Sequence, residues 1–150
     1  MITTRTRSPE ETLALGRRLA ALLAPGDVVL LEGRLGTGKT LFASGIAQGL
    51  DIAGPVASPT FVIARVYRDG FLPLVHADVY RLTSMLEFED LDLEDVAASG
   101  VLVVEWGEAI EEVVSPDRLL VEIEVAGDDE RLFRFIPHGA WQDRRLEEIV

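Results

Sequence analysis

Apolar and polar positions alternate near both ends of the chain and run together in its middle. Ile2, Thr4 and Thr6 alternate with Arg5 and Arg7, the pattern of a short edge strand. Ser8-Pro9-Glu10-Glu11 supplies an N-cap, a proline at the first helical position and a capping-box glutamate. A helix is expected from there to about Leu23, with Leu13, Leu19, Leu22 and Leu23 among its apolar positions, and Pro25-Gly26 stops it. Val28–Leu31 is a continuous apolar run, as in a strand buried on both faces. A glycine-rich segment, Gly33–Thr40, follows, and then a helical pattern over Leu41–Leu50.

Phe61–Tyr67 and Leu72–Val79 read as strands joined by a turn at Arg68-Asp69-Gly70. An acidic helical region is expected at about Met85–Ala98, and a second short buried strand at Val101–Val104. Leu119–Val125 and Arg131–Ile136 alternate around Gly127-Asp128-Asp129 as a hairpin, and Trp141–Ile149 reads as a terminal helix. Strand–loop–helix in the middle and antiparallel character at the ends make the class α/β with a mixed sheet.

Composition narrows the chemistry. At 150 residues and 48% hydrophobic, the chain is sized for one domain, taken as residues 1–150, with a core that needs no staples. With 26 acids against 14 bases the net charge is −12, the wrong sign for a freestanding nucleic-acid binder, so no DNA contact is expected. Zero cysteines exclude disulfides, zinc ribbons, Fe–S ligation and a thiol nucleophile, and His76 and His138 lie too far apart for metal-ligand spacing. No apolar h-region follows the N-terminus and no uncharged apolar run reaches membrane-span length, so a cytoplasmic location without membrane contact is expected. Of the 14 bases only one, Lys39, is lysine, and there is no asparagine.

Gly33-Arg34-Leu35-Gly36-Thr37-Gly38-Lys39-Thr40 matches G-x-x-x-x-G-K-[ST]. Glycines let backbone N–H groups turn toward phosphate oxygens, the following helix adds its dipole, Lys39 reaches the β/γ-phosphates and the Thr40 hydroxyl holds Mg²⁺. Given one lysine, chance alone would flank it this way roughly once in a thousand at this composition. The plain alternative is a glycine-rich βα turn that binds nothing. The expected fold is therefore P-loop NTPase-like, three layers α/β/α around a mixed parallel/antiparallel sheet. The Asn-Lys-x-Asp guanine motif cannot occur without asparagine and with Lys39 already used, which favours ATP.

P-loop proteins place an acid at the end of a neighbouring strand, where it holds Mg²⁺ or orients water. Two segments qualify: Val101–Val104 ending in Glu105, and Leu74-Val75-His76-Ala77 ending in Asp78. Either could equally be a strand-terminal acid facing solvent. Thr60, in Ser58-Pro59-Thr60-Phe61, stands where a switch loop would sense the γ-phosphate, or simply starts a strand after a proline turn. Trp106 abuts Glu105 and should report nucleotide binding unless it is a plain core residue, and Tyr80 and His76 either pack or hydrogen-bond at a half-buried strand. Between Arg81 and Arg118 there is no base, while acids run from Glu87 to Glu112. That stretch is either a solvated face or a docking surface for a basic partner.

Gly33–Thr40, Ser58-Pro59-Thr60-Phe61, His76-Ala77-Asp78-Val79-Tyr80-Arg81 and Val104-Glu105-Trp106, in this order and spacing, resemble the bacterial TsaE family of small P-loop ATPases over about Ser8 to Arg134. Gly107 departs from the small residue or proline often found there. The resemblance implies slow, Mg²⁺-dependent ATP hydrolysis in support of TsaB and TsaD, which install threonylcarbamoyl on the tRNA adenosine next to the anticodon; tRNA is met only indirectly. By the same resemblance Gly36, Thr37, Gly38, Lys39, Thr40 and Leu41, with Thr60, bind the nucleotide. Thr40 and Glu105 hold the metal, and Lys39, Asp78 and Glu105 carry the catalysis. Arg81 serves as a cation in cis or pairs with one of the many acids. The competing readings are a small-metabolite P-loop kinase and a nucleotide-dependent interaction module.

Overall fold

The structure, a computed structural model, describes residues 1–54, 56, 64–79 and 85–150. Strands β1 (Ile2–Thr6), β2 (Asp27–Glu32), β3 (Ala64–Tyr67), β4 (Leu74–Asp78), β5 (Val101–Glu105), β6 (Arg118–Val125) and β7 (Arg131–Pro137) form one sheet in the order β1-β7-β6-β2-β5-β4-β3. β2 runs parallel to β5 and β6, and β5 parallel to β4. The pairs β1–β7, β6–β7 and β3–β4 are antiparallel. The mixed sheet expected from the sequence is present, with its parallel pairs around β2.

The continuous apolar runs follow from burial on both faces. Val29 and Leu31 of β2 point to one core and Val28 and Leu30 to the other, and Val101/Val103 and Leu102/Val104 of β5 divide the same way. Helices α1 (Pro9–Ala20) and α2 (Lys39–Gly49) cover the first face. Two short helices, α3 (Met85–Glu89) and α4 (Leu93–Val96), and a 3₁₀ turn at Gly107–Ile110 cover the second. The result is three layers, α/β/α. Among the described residues no helix is long and apolar enough to cross a membrane.

Helix α1 starts as the sequence dictates. The Ser8 hydroxyl accepts from the Glu11 N–H at 3.1 Å, and the Glu11 carboxylate accepts from the Arg7 N–H at 2.6 Å. The helix ends at Ala20 rather than Leu23, because the chain tightens into i→i+3 bonds from Leu22 and Leu23 to Leu19 and Ala20. It packs closely on α2 because Gly16 has no side chain: a Cβ there would lie 2.6 Å from the Phe42 carbonyl oxygen. Phe42 in turn meets Phe133 of β7 with ring centroids 5.1 Å apart, which fixes α2 over the β6–β7 hairpin.

Two expected helices do not form as single elements. The acidic region Met85–Ala98 breaks into α3 and α4, because Asp92 between them takes a left-handed conformation with φ 51°. The terminal segment Trp141–Ile149 is two 3₁₀ turns, Gly139–Asp143 and Leu146–Glu148. Arg144 between them is extended, and its guanidinium is held by both oxygens of Asp27, at 2.5 and 2.7 Å, and by the Leu22 carbonyl at 3.1 Å. Of the expected strand Phe61–Tyr67 the structure describes residues 64–67, all in β3; residues 61–63 lie outside the described residues.

Candidate functional site

The site lies at the carboxyl end of the parallel strands, where open α/β sheets carry their crevices. β2 ends at Glu32, and Gly33–Thr40 turns into α2. Gly36 and Gly38 take φ 83° and 102°, a region an L-residue side chain disfavours, so the turn needs glycine at both positions. Gly38 caps α2 without a side-chain hydrogen bond, and the first helical turn contains no acid. The positive end of this helix is thus left to an outside anion. Thr37 Oγ1 is buried with no hydrogen-bond partner among the described residues.

Lys39 is 5% exposed. Its ammonium donates to the carbonyls of Gly33 and Arg34, the latter at 3.1 Å, and lies 3.7 Å from the centroid of the Trp106 ring. Trp106 reaches that position because it follows β5 directly and takes φ 64°, a strained conformation for a bulky residue that turns the chain at the strand end. Gly107 then packs on β2 so closely that a Cβ would stand 2.5 Å from Leu30 Cβ, so glycine fits this position and a larger residue would displace Leu30.

The two acids converge. Parallel pairing of β4 and β5 sets Asp78 beside Glu105 in register. The Thr40 hydroxyl stands 2.9 and 3.0 Å from the two oxygens of Glu105. Glu105 is 3% exposed, and its Oε2 is also 2.6 Å from His76 Nε2. A cavity of about 330 Å³ is lined by Leu35, Gly36, Gly38, Lys39, Thr40, Leu41, Asp78, Glu105 and Trp106. A wider hollow of about 740 Å³ adjoins it on the β6 side; it shares Leu35 and Trp106 and is also lined by Thr37, Ile123 and Arg134.

This donor set fits an anion together with a hard divalent cation. Mg²⁺ keeps several waters and takes one or two carboxylates plus substrate phosphates, rather than a cage made only of protein groups. Among the described residues no group of three or more His, Asp or Glu forms such a cage. One hydroxyl touching one buried carboxylate, with a second acid at the cavity wall, is compatible with that partial coordination by protein groups.

The sequence profile described as "Threonylcarbamoyl adenosine biosynthesis protein TsaE" matches residues 6–133. The chain belongs to the TsaE family. A Bacillus subtilis relative described as "tRNA threonylcarbamoyladenosine biosynthesis protein TsaE" is 48% identical over 146 residues, covering 97% of this chain and 91% of its own. A Streptomyces coelicolor relative of the same description is 53% identical over 119 residues, covering 77% and 80%. The crystal structure of Bacillus subtilis YdiB superposes with a TM-score of 0.80 at 43% identity, covering 99% of this chain and 93% of that one.

In this TsaE-family chain, Gly36, Gly38, Lys39, Thr40, Leu41, Asp78 and Glu105 share the smaller cavity, while Thr37 lines the adjoining hollow. Thr60, with Ser58, Pro59 and Phe61, and also Tyr80 and Arg81, lie outside the described residues. Two residues whose partners the linear sequence does not specify also bear on the site. His76 contacts Glu105, a link its place two residues before Asp78 hinted at without fixing the partner. Arg131 donates to the Thr37 carbonyl at 3.0 Å from 94 positions away, and nothing in the linear sequence signals that bond.

Proposed function

We propose that this chain binds ATP with Mg²⁺ and hydrolyses it slowly to ADP and inorganic phosphate, in support of threonylcarbamoyl modification of tRNA adenosine next to the anticodon. The observation that carries this reading is the convergence of Lys39, Thr40, Asp78 and Glu105 on one cavity at the glycine-rich turn. Backbone N–H groups of the turn and of the first turn of α2 take the phosphate oxygens. Lys39 exchanges its carbonyl partners for the β/γ-phosphates. Thr40 and Glu105 hold the metal, which neutralises charge on the phosphates. Asp78 orients the attacking water, either directly or through the metal's water shell.

Slow turnover follows from a missing cation. A positive group on the developing charge contributes about 10³–10⁵ in rate and is often supplied in trans. On this reading TsaB and TsaD complete the site, in the cytoplasm. The net charge of −12 also fits a protein that leaves the RNA to its partners.

The test is inorganic phosphate release with and without TsaB, TsaD and tRNA, using Lys39→Ala and Glu105→Ala as controls. Stimulation of the parent by the partners and near-background rates for both variants are expected. A full rate in isolation that the partners leave unchanged would refute partner completion. Modification supported equally by both variants would make the chain an interaction module. Label appearing on a small acceptor instead of inorganic phosphate would make it a kinase.

A further inference from the structure

β4 reads Leu74-Val75-His76-Ala77-Asp78, and Leu74, Val75 and Ala77 are fully buried apolar residues. His76 is also 0% exposed. An aliphatic side chain would satisfy packing at this position without bringing in a polar ring. The imidazole instead places Nε2 2.6 Å from Glu105 Oε2, while its Nδ1 is buried with no hydrogen-bond partner among the described residues. Nε2 must carry the hydrogen, because a lone pair there would face a carboxylate lone pair. The ring therefore gives up satisfaction of one nitrogen while donating to one acid oxygen.

We propose that His76 is a positioning residue that fixes the Glu105 carboxylate in the rotation at which it receives a divalent cation together with Thr40. This inference rests on the Mg²⁺–nucleotide reading above.

The terminal torsion of a glutamate is broad and nearly two-fold, so its orientation is set by its hydrogen-bond partners. Thr40 cannot set it, because its hydroxyl is nearly equidistant from both oxygens, at 2.9 and 3.0 Å. Thr40 must also turn its own oxygen to the cation. The His76 N–H contacts Oε2 alone and has no lone pair to offer a metal. It remains a donor when the cation arrives and leaves Oε1, 2.9 Å from the Thr40 hydroxyl, without a contact to the imidazole. Hydrogen bonds to ligating carboxylates are worth roughly 10–100-fold in metal affinity.

Amide side chains separate this role from packing, because Gln carries its N–H₂ where His carries Nε2, and Asn carries it where His carries Nδ1. The experiment titrates Mn²⁺ into ADP-saturated parent, His76→Gln, His76→Asn and His76→Leu, reading free Mn²⁺ by EPR. ADP affinity in EDTA and thermal midpoints are recorded alongside. His76→Gln is expected to stay within about threefold of the parent, and His76→Asn and His76→Leu to lose roughly 10–100-fold in Mn²⁺ affinity with ADP affinity in EDTA unchanged. Mn²⁺ affinity retained by His76→Asn, equal losses for Gln and Asn, or a parallel loss of metal-free ADP binding would each overturn the assignment.

A second measurement needs no variant. The ¹⁵N-labelled parent should show a hydrogen-bonded His76 Nε2–H that persists on adding Mg²⁺ and ADP; its disappearance counts against the proposal. A parent that binds ADP but no stoichiometric Mn²⁺ would defeat the metal reading itself, an outcome distinct from variants that bind as the parent does.

Discussion

Arg131 on β7 donates from Nε to the Thr37 carbonyl at 3.0 Å, joining the β6–β7 turn to the glycine-rich loop. Its Nη1 is held by the carbonyls of Gly127 and Asp128, each at 3.3 Å, and Glu130 at 2.9 Å. The peptide between Thr37 and Gly38 is planar and trans, so fixing its carbonyl toward Arg131 turns the Gly38 N–H to the opposite side. Arg131→Ala should fold normally and bind Mg²⁺–ADP about tenfold more weakly, corresponding to about 1.4 kcal/mol. Calorimetric titration checks this, and a change below twofold would mean the loop holds its shape without the arginine.

Trp106 lies against Lys39, whose ammonium must move if it is to meet a phosphate. The only other tryptophan, Trp141, is fully buried under Arg144 among the C-terminal turns. Trp141 Nε1 has no hydrogen-bond partner among the described residues, so Trp141→Phe removes no bond seen there. In Trp141→Phe, Mg²⁺–ADP should change the emission of Trp106, and adding Lys39→Ala should abolish most of that change. A steady-state fluorescence titration decides; an unresponsive Trp106 would place the nucleotide elsewhere.

The Asp27–Arg144 pair sits at the start of β2, and the glycine-rich turn follows its end. The six residues of β2 set the two ends about 17 Å apart. Asp27 also accepts from the Ala24 N–H at 2.7 Å, and its side chain is 8% exposed. Removing one member of such a pair leaves a buried charge uncompensated, so Arg144→Ala should lower unfolding stability by about 3 kcal/mol. Urea denaturation measures that loss, and Mg²⁺–ADP affinity of the folded fraction should stay at the parent value.

The acidic stretch is not uniform. Glu105 is buried in the site, Glu111 pairs with Arg118 at 3.2 Å, and Glu94 accepts from the Ser115 N–H at 3.3 Å. Glu89, Asp90, Asp92 and Asp95 are exposed. If this face steers a basic partner surface, association with TsaB–TsaD slows as salt rises, and Glu89→Lys with Asp92→Lys lowers the on-rate several-fold. Stopped-flow association at two ionic strengths tests it, and a salt-independent on-rate that the reversals do not alter assigns these acids to solvation alone.

The linear sequence carried what local rules encode. The doubly buried runs of β2 and β5, the cap of α1 and the glycine-lysine turn each depend on residues within about ten positions of one another, and the β6–β7 hairpin on partners no more than 18 apart. The residues alone also left Asp78 and Glu105 as two candidate strand-end acids that could equally face solvent, because strand ends look alike until the sheet is paired. Tertiary structure decided the rest. Parallel register set the two acids side by side and brought Thr40 onto Glu105. The His76–Glu105 bond spans 29 residues and the Arg131–Thr37 bond 94, separations at which no periodicity survives. The terminal segment was decided at long range too: Arg144 is a good helix former locally, but its backbone is extended where its guanidinium meets Asp27, 117 residues away.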